Sequence, residues 1–150
     1  MAAGAHKKAE RAERGRWLKR DGGSGILAEM FSEAVLDHFK NPRNVGELAN
    51  ASASVEVTNP VCGDVLRLSV RVAGGKVAEA RFKTRGCVTA IACSSWLAEW
   101  MEGKSLDELR RLTADHISQA LGGLPPATVH GSQLAFDAVK ALLGKFGQGA

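Results

Sequence analysis

The sequence predicts an α+β fold in which a small three-stranded antiparallel sheet packs against about five helices. Between residues 53 and 83, apolar and polar residues alternate with the period of a β-strand. On both sides of this stretch, apolar residues recur at helical spacing. A composition of 45% apolar and 24% charged residues is typical of a globular domain.

The first 29 residues differ from the rest of the chain. They hold seven Lys or Arg residues and four acids, net +3, which leaves +1 for residues 30–150. They end near Asp21–Gly25, which is linker-like in composition. We therefore expect residues 1–29 to be a basic, disordered extension and residues 30–150 to be the folded domain. The nearly neutral domain shows no footprint for specific nucleic-acid binding, and no apolar run is long enough to span a membrane.

The first elements are a helix and a meander of strands. A helix is predicted over 31–40, where Phe31, Val35, Leu36 and Phe39 share a face and Asn41-Pro42 ends it. Strands are predicted near 53–58, 65–72 and 76–83. Gly74-Gly75 fits a tight hairpin turn between the last two strands, because glycine tolerates positive φ. One face of this sheet is expected to stay open to solvent.

The remainder of the chain is predicted to be helical. A helix over 89–101 ends before Gly103, and the Ser105–Glu108 capping box starts a short helix after it. Thr113 is expected to cap another helix that runs to about 121. Ser132 is expected to cap the last helix, which continues to about 146.

Three short segments carry residues that could bind a metal. Cys62-Gly63-Asp64 places a thiol and a carboxylate around a flexible glycine, Gly86-Cys87 precedes a helix, and His130 follows two prolines. A thiol at a helix N-terminus is expected to favour the thiolate, the form that binds metals. Two thiolates, a carboxylate and an imidazole could hold a tetrahedral ion. Spacing alone leaves open whether these residues meet or are scattered.

Cysteine usage points to a reducing compartment. The chain has three cysteines and no apolar leader typical of secretion, so we expect a cytoplasmic protein with free thiols. Cys93 shares a helical stripe with Leu97 and Met101. It lies about 240° around the helix from Cys87, and we expect it to act as a small buried hydrophobic residue.

Several separate segments, in order, resemble the iron–sulfur cluster assembly scaffold family of the IscU type, also called the NifU N-terminal type. The resemblance covers about residues 30–146 and rests on Val35–Gly46, Cys62–Asp64, Ala80–Thr84, Gly86–Cys87, Ala90–Ala92, Gly103–Leu106, Leu124–Pro126 and His130. It implies that Cys62, Asp64, Cys87 and His130 surround a nascent [2Fe–2S] cluster, iron or a Zn²⁺ ion.

The chain departs from the family at Gly131, at Val88-Thr89 after Cys87, and at Ala127-Thr128 after the double proline. Gly131 stands where the resemblance implies a cysteine, a leading acceptor of sulfur from the desulfurase. Ala127 and Thr128 depart from the segment that a DnaK-like chaperone recognises, which argues against recruitment of that chaperone. Restoring the thiol by Gly131→Cys is therefore expected to raise cluster yield.

The resemblance implies a scaffold or carrier without enzymatic turnover of its own. It would work with a cysteine desulfurase and deliver a labile [2Fe–2S] cluster to apo iron–sulfur proteins, with altered sulfur acceptance because of Gly131. The alternative is a zinc- or iron-binding accessory protein that docks on the desulfurase without assembling clusters. A third hypothesis is a thiol enzyme with Cys87 or Cys62 as nucleophile and His130 as base, but the sequence shows no pattern for an oxyanion hole.

Overall fold

The computed structural model describes residues 30–61, 63–125 and 129–146. Within these residues the chain forms three strands and five helices, so the predicted α+β class is confirmed. In chain order the elements are α1 (Glu33–Lys40), β1 (Ala53–Thr58), β2 (Val65–Ala73), β3 (Lys76–Arg85), α2 (Val88–Met101), α3 (Leu106–Arg110), α4 (Ala114–Ala120) and α5 (His130–Lys145).

The sheet is an antiparallel meander in the order β1-β2-β3. Gly74 and Gly75 adopt φ values of 63° and 78° at the β2–β3 turn, a region that other residues avoid. Leu66, Leu68 and Val70 point from β2 into the core. The opposite face carries ion pairs such as Arg71–Glu79, so the predicted half-buried sheet is confirmed.

Helix α2 is the centre of the helical layer. Ten of its fourteen residues are buried, and it packs against α1, α5 and β3. Cys93 is completely buried in this helix. Burial raises the pKa of its thiol, so the prediction that Cys93 acts as a small hydrophobic residue is confirmed.

The short helices begin as the sequence predicts. Ser105 and Glu108 form the reciprocal capping box of α3, and the Thr113 side chain accepts the backbone N–H of His116 at the start of α4. In the part of the chain that the structure describes, no helix is both long enough and apolar enough to cross a bilayer.

A buried histidine joins α1 to α2. His38 Nδ1 lies 2.8 Å from Ser95 Oγ, and the same oxygen accepts the backbone N–H of Arg43 at 2.9 Å. Burial lowers the pKa of His38, and the Arg43 charge lowers it further, while the carboxylates of Glu99 and Asp37 act in the opposite direction. The α1–α2 contact therefore holds His38 in its neutral form.

This contact predicts a pH dependence of stability. Because the pKa of His38 is lower in the folded protein than its ordinary 6.5, the unfolded chain binds the proton first as pH falls. The contribution of His38 to stability is present above about pH 6.5 and is lost below it. Urea unfolding between about pH 7.5 and pH 5 should show this loss in the wild type and less of it in His38→Gln. An unchanged slope in His38→Gln would contradict the assignment.

Candidate metal and cluster site

The loop between β1 and β2 is held by its own backbone. The N–H of Asn59 bonds to the carbonyl of Asp64 at 2.8 Å, and the N–H of Gly63 bonds back to the carbonyl of Asn59 at 2.7 Å. The Asn59 side chain also accepts the N–H of Val61 at 2.8 Å. These bonds close a tight loop and place Asp64, which is 8% exposed, at the start of β2. Cys62 lies in this loop but outside the described residues.

Asp64 contacts Cys87 across the end of the sheet. Cys87 is the N-cap residue of α2, and its Sγ lies 3.4 Å from Asp64 Oδ2, so the thiol can donate to the carboxylate. The structure therefore brings together two of the predicted ligands, one from each of two loops. A thiol beside a carboxylate offers one soft donor and one hard donor to the same ion.

The expectation that Cys87 favours the thiolate is wrong, because the pKa of its thiol is raised. Burial raises the pKa of the Cys87 thiol, and the carboxylate of Asp64 raises it further. The backbone N–H groups of Ala90 and Thr89 in the first turn of α2 lower that pKa, as expected for a helix N-terminus, but they do not outweigh the other two causes. The helix end at Cys87 was predicted correctly, but its effect on the pKa is outweighed by burial and by the carboxylate of Asp64, a residue that the family resemblance places in the same site.

Gly86 makes the contact between Asp64 and Cys87 possible. A Cβ at Gly86 would lie 2.6 Å from Cγ and 2.8 Å from Oδ1 of Asp64. Any side chain at this position would therefore displace the carboxylate from its place next to the thiol. The Gly-Cys pair was recognised in the sequence as a ligand motif, but the space that its glycine leaves for Asp64 depends on a residue in another loop.

His130 is the first residue of α5, and the predicted cap at Ser132 is wrong. The helix begins after Val129, and Ser132 lies inside its first turn with its hydroxyl donating to the carbonyl of Val129 at 2.9 Å. Ser132 turns back to the preceding turn because its backbone is already helical. His130 therefore sits on a helix end and not in a loop.

Gly131 is buried where α5 meets the first turn of α2. A Cβ at Gly131 would lie 2.7 Å from Cγ2 of Thr89 and 2.8 Å from both the backbone carbon and oxygen of that residue. Thr89 is completely buried, and its hydroxyl has no hydrogen-bond partner among the described residues. The two helix ends thus approach each other more closely than they could if residue 131 had a side chain.

The predicted ligands are only partly assembled. Asp64 and Cys87 are in contact, and the packing of Gly131 on Thr89 brings the end of α5 that carries His130 against the helix that follows Cys87. Across residues 30–61, 63–125 and 129–146, no three His, Cys, Asp or Glu side chains are grouped closely enough to hold a metal ion. Asp64, Cys87 and His130 are thus not gathered around one point in this conformation.

The fold agrees with a comparison of the sequence to known families. The profile of the NifU-like N-terminal domain matches residues 30–149. The chain belongs to this family. It is 46% identical over 120 residues to the iron-sulfur cluster assembly scaffold protein IscU of Escherichia coli K12. The match covers 77% of this chain and 93% of that protein.

Two further proteins extend the comparison. The iron-sulfur cluster assembly scaffold protein IscU 1 of Archaeoglobus fulgidus is 43% identical over 111 residues, covering 74% of this chain and 72% of that protein. The crystal structure of a nitrogen-fixing NifU-like protein (N-terminal) from Brucella abortus superposes with a TM-score of 0.55 at 21% identity, over 83% of this chain and 89% of that one. The family resemblance stated from the sequence is confirmed, and the structural match supports the fold.

The contact at Gly131 predicts an unusual response to alanine. Alanine is about 1 kcal/mol better than glycine in a helix, but overpacking against the Thr89 backbone is expected to lower the free energy of unfolding of Gly131→Ala by about 1–3 kcal/mol. Gly144 lies in the same helix, and among the described residues no atom outside its chain neighbours and the helix backbone comes within 4 Å of its Cβ position. Gly144→Ala is the matched control and should raise the free energy of unfolding by about 0.5–1 kcal/mol. Urea denaturation measures both.

Gly131→Cys is expected to lose stability in the same assay, because the clash begins at Cβ and does not depend on the sulfur. The expected rise in cluster yield from Gly131→Cys stays a prediction, and the close contact with Thr89 adds a cost in stability to it. Equal or greater stability of Gly131→Ala relative to Gly144→Ala would show that the two helix ends are not in the contact described.

Proposed function

We propose that this protein is a scaffold or carrier on which a labile [2Fe–2S] cluster is assembled and from which it is transferred to apo iron–sulfur proteins. The observation that carries the proposal is the contact of Cys87 with Asp64 in the space left by Gly86. This thiol–carboxylate pair occurs in a chain whose relatives are named as iron-sulfur cluster assembly scaffold proteins.

The proposed ligands are Cys62, Asp64, Cys87 and His130. The two thiols supply the soft donors that iron–sulfur clusters require. The carboxylate and the imidazole bind iron less firmly than thiolates do, so mixed ligation suits a cluster that has to leave. The same four donors also satisfy Zn²⁺.

The chain would take sulfur from a cysteine desulfurase on Cys87 or Cys62. Cys93 is excluded as the acceptor because it is completely buried and burial raises the pKa of its thiol. Gly131 offers no thiol, so sulfur acceptance differs from the pattern that the family resemblance implies. Ala127 and Thr128 lie outside the described residues, and we propose that their departure weakens recognition by a DnaK-like chaperone.

The second candidate function is a zinc- or iron-binding accessory protein that docks on the desulfurase without assembling clusters. The packing of Gly131 on Thr89 favours it, because the space in which a further thiol would lie is filled by backbone. In both cases we propose that the protein acts in the cytoplasm as a binding protein and not as an enzyme, with residues 1–29 forming a basic extension to the folded domain.

Anaerobic reconstitution with iron, cysteine and a cysteine desulfurase separates the two functions. Visible absorbance with about one [2Fe–2S] cluster per monomer or dimer is expected for the scaffold. Cys62→Ser, Cys87→Ser and His130→Ala should each lose most of this absorbance, and the buried Cys93→Ala should keep it. Retention of stoichiometric zinc without any cluster would instead support the accessory protein.

Asp64 is expected to make the cluster labile. Its carboxylate contacts Cys87 directly, so Asp64→Ala removes the one oxygen donor of the proposed set and should slow the loss of cluster to an iron chelator. Asp115→Ala, which changes an exposed acid on α4, is the control and should release cluster at the wild-type rate. Faster release from Asp64→Ala would show that the carboxylate stabilises the cluster.

A further inference from the structure

Three aromatic rings form a cluster on the surface of the helical layer. The rings of Trp96 and Trp100, one turn apart on α2, stack with their centroids 5.6 Å apart and an interplanar angle of 17°. The exposed His116 of α4 lies edge-on to both, with its centroid 5.9 Å from each. Both tryptophans are only half-buried, so these three residues, the aromatic patch, present ring surface to solvent. The patch lies about 14 Å along α2 from Cys87.

Two carboxylates border the aromatic patch. Glu99 lies between the two tryptophans in the sequence, its side chain is 54% exposed, and it faces His38 at 3.9 Å. Asp115 directly precedes His116, and its carboxylate accepts the side-chain amide of Gln119 at 2.8 Å. Among the described residues, neither acid forms an ion pair with a lysine or an arginine.

The aromatic patch already accepts one cation. Lys104 Nζ lies 5.1 Å from the ring centroid of Trp100, a cation–π contact. Aromatic faces beside carboxylates are the surroundings that arginine and lysine side chains prefer. A nucleic acid, in contrast, would be repelled by the same carboxylates. The chemistry of the patch therefore favours a basic protein segment that also carries an aromatic residue.

The chain enters the folded domain close to the aromatic patch. The hydroxyl of Ser32, the N-cap residue of α1, donates to the carbonyl of Leu121 at the end of α4. A Cβ at Gly122 would lie 3.0 Å from Cβ of Ser32, so the two segments are in contact. Leu121 is five residues beyond His116, which is about 8 Å along α4. The first 29 residues therefore join the domain within two helical turns of the patch.

These first residues have the composition that the aromatic patch would bind. They lie outside the described residues, carry a net charge of +3, and hold Trp17 as their single Trp, Phe or Tyr residue. Four cations and no acid occur in the run around this tryptophan, which reads Arg14-Gly15-Arg16-Trp17-Leu18-Lys19-Arg20. Thirteen positions separate Trp17 from Met30, and a linker of this length has an average span of about 20 Å. Trp17 can therefore reach the patch.

We propose that residues 14–20 dock on the aromatic patch of the same chain. Trp17 packs against the rings of the patch, and the cations beside it bind the carboxylates of Glu99 and Asp115. Because a short linker gives an effective concentration in the millimolar range, an intrinsic dissociation constant of about 1 mM is sufficient for substantial docking. A separate partner protein has to compete with this tethered segment. The contact needs neither metal nor cluster, so it does not depend on the function proposed above.

Fluorine NMR of the full-length protein labelled with 5-fluorotryptophan tests the proposal, because the chain has only three tryptophans. Trp17→Ala should shift the resonances of Trp96 and Trp100, since their rings lose a neighbour, and Trp17→Phe should largely restore them. The Trp17 resonance should differ from that of a synthetic peptide of residues 7–20. It should move towards the peptide position as NaCl is raised from about 0.05 to 1 M, because salt screens the charges.

A matched pair of variants tests the acidic border. Asp115→Lys should lower the docked fraction, read from the Trp17 resonance, by about threefold. Asp137→Lys is the control and should leave that fraction unchanged, since Asp137 is also an exposed helical acid bonded to a glutamine four residues away, but on α5.

Three results would overturn the proposal directly. They are unchanged Trp96 and Trp100 resonances in Trp17→Ala, equal responses to Asp115→Lys and Asp137→Lys, and shifts that grow between about 0.05 and 0.5 mM protein, which would indicate a second copy as the occupant. A Trp17 resonance that leaves the peptide position only when anionic phospholipid vesicles are added would also overturn it, in favour of a membrane surface.

Discussion

The arrangement of the site depends on the approach of two helix ends, where Gly131 at the start of α5 lies against the backbone of Thr89 in the first turn of α2. Thr89 is two residues beyond Cys87, and Gly131 directly follows His130. One packing contact therefore fixes the relative position of two helix termini that carry proposed ligands. Since packed interiors yield little to an added atom, position 131 controls this geometry by its volume as well as by its chemistry.

A second close approach acts in the same way at the other side of Cys87. Gly86 leaves room for the Asp64 side chain, which reaches the thiol and raises its pKa. The Cys87 thiol donates to the Asp64 carboxylate, and ligation of a metal by both residues would require loss of that proton. Gly86 and Gly131 therefore set the distances between the elements that carry the proposed ligands, because neither residue has a side chain.

The sequence predicted the fold better than it predicted the site. Strand alternation in β2, the hairpin at Gly74-Gly75 and the capping box at Ser105 are local signals, and each was confirmed. The start of α5 was predicted wrongly at Ser132, because a serine that could cap a helix can equally bond back within its first turn. Features that depend on two distant segments, such as Asp64 against Gly86, leave no local pattern to read.

The difference between local sequence signals and contacts of distant segments also applies to Gly131. The family resemblance implies a cysteine at this position, and by that comparison introducing one looks like a simple repair. In three dimensions the Cβ position of residue 131 is already occupied by Thr89, so the close packing of α5 on α2 requires that this residue has no side chain. A cysteine introduced at 131 alone has to push the helix that carries His130 away from Cys87. Restoring the thiol would thus move one proposed ligand, His130, while adding another. The net effect on the cluster depends on this change in packing as well as on the added sulfur.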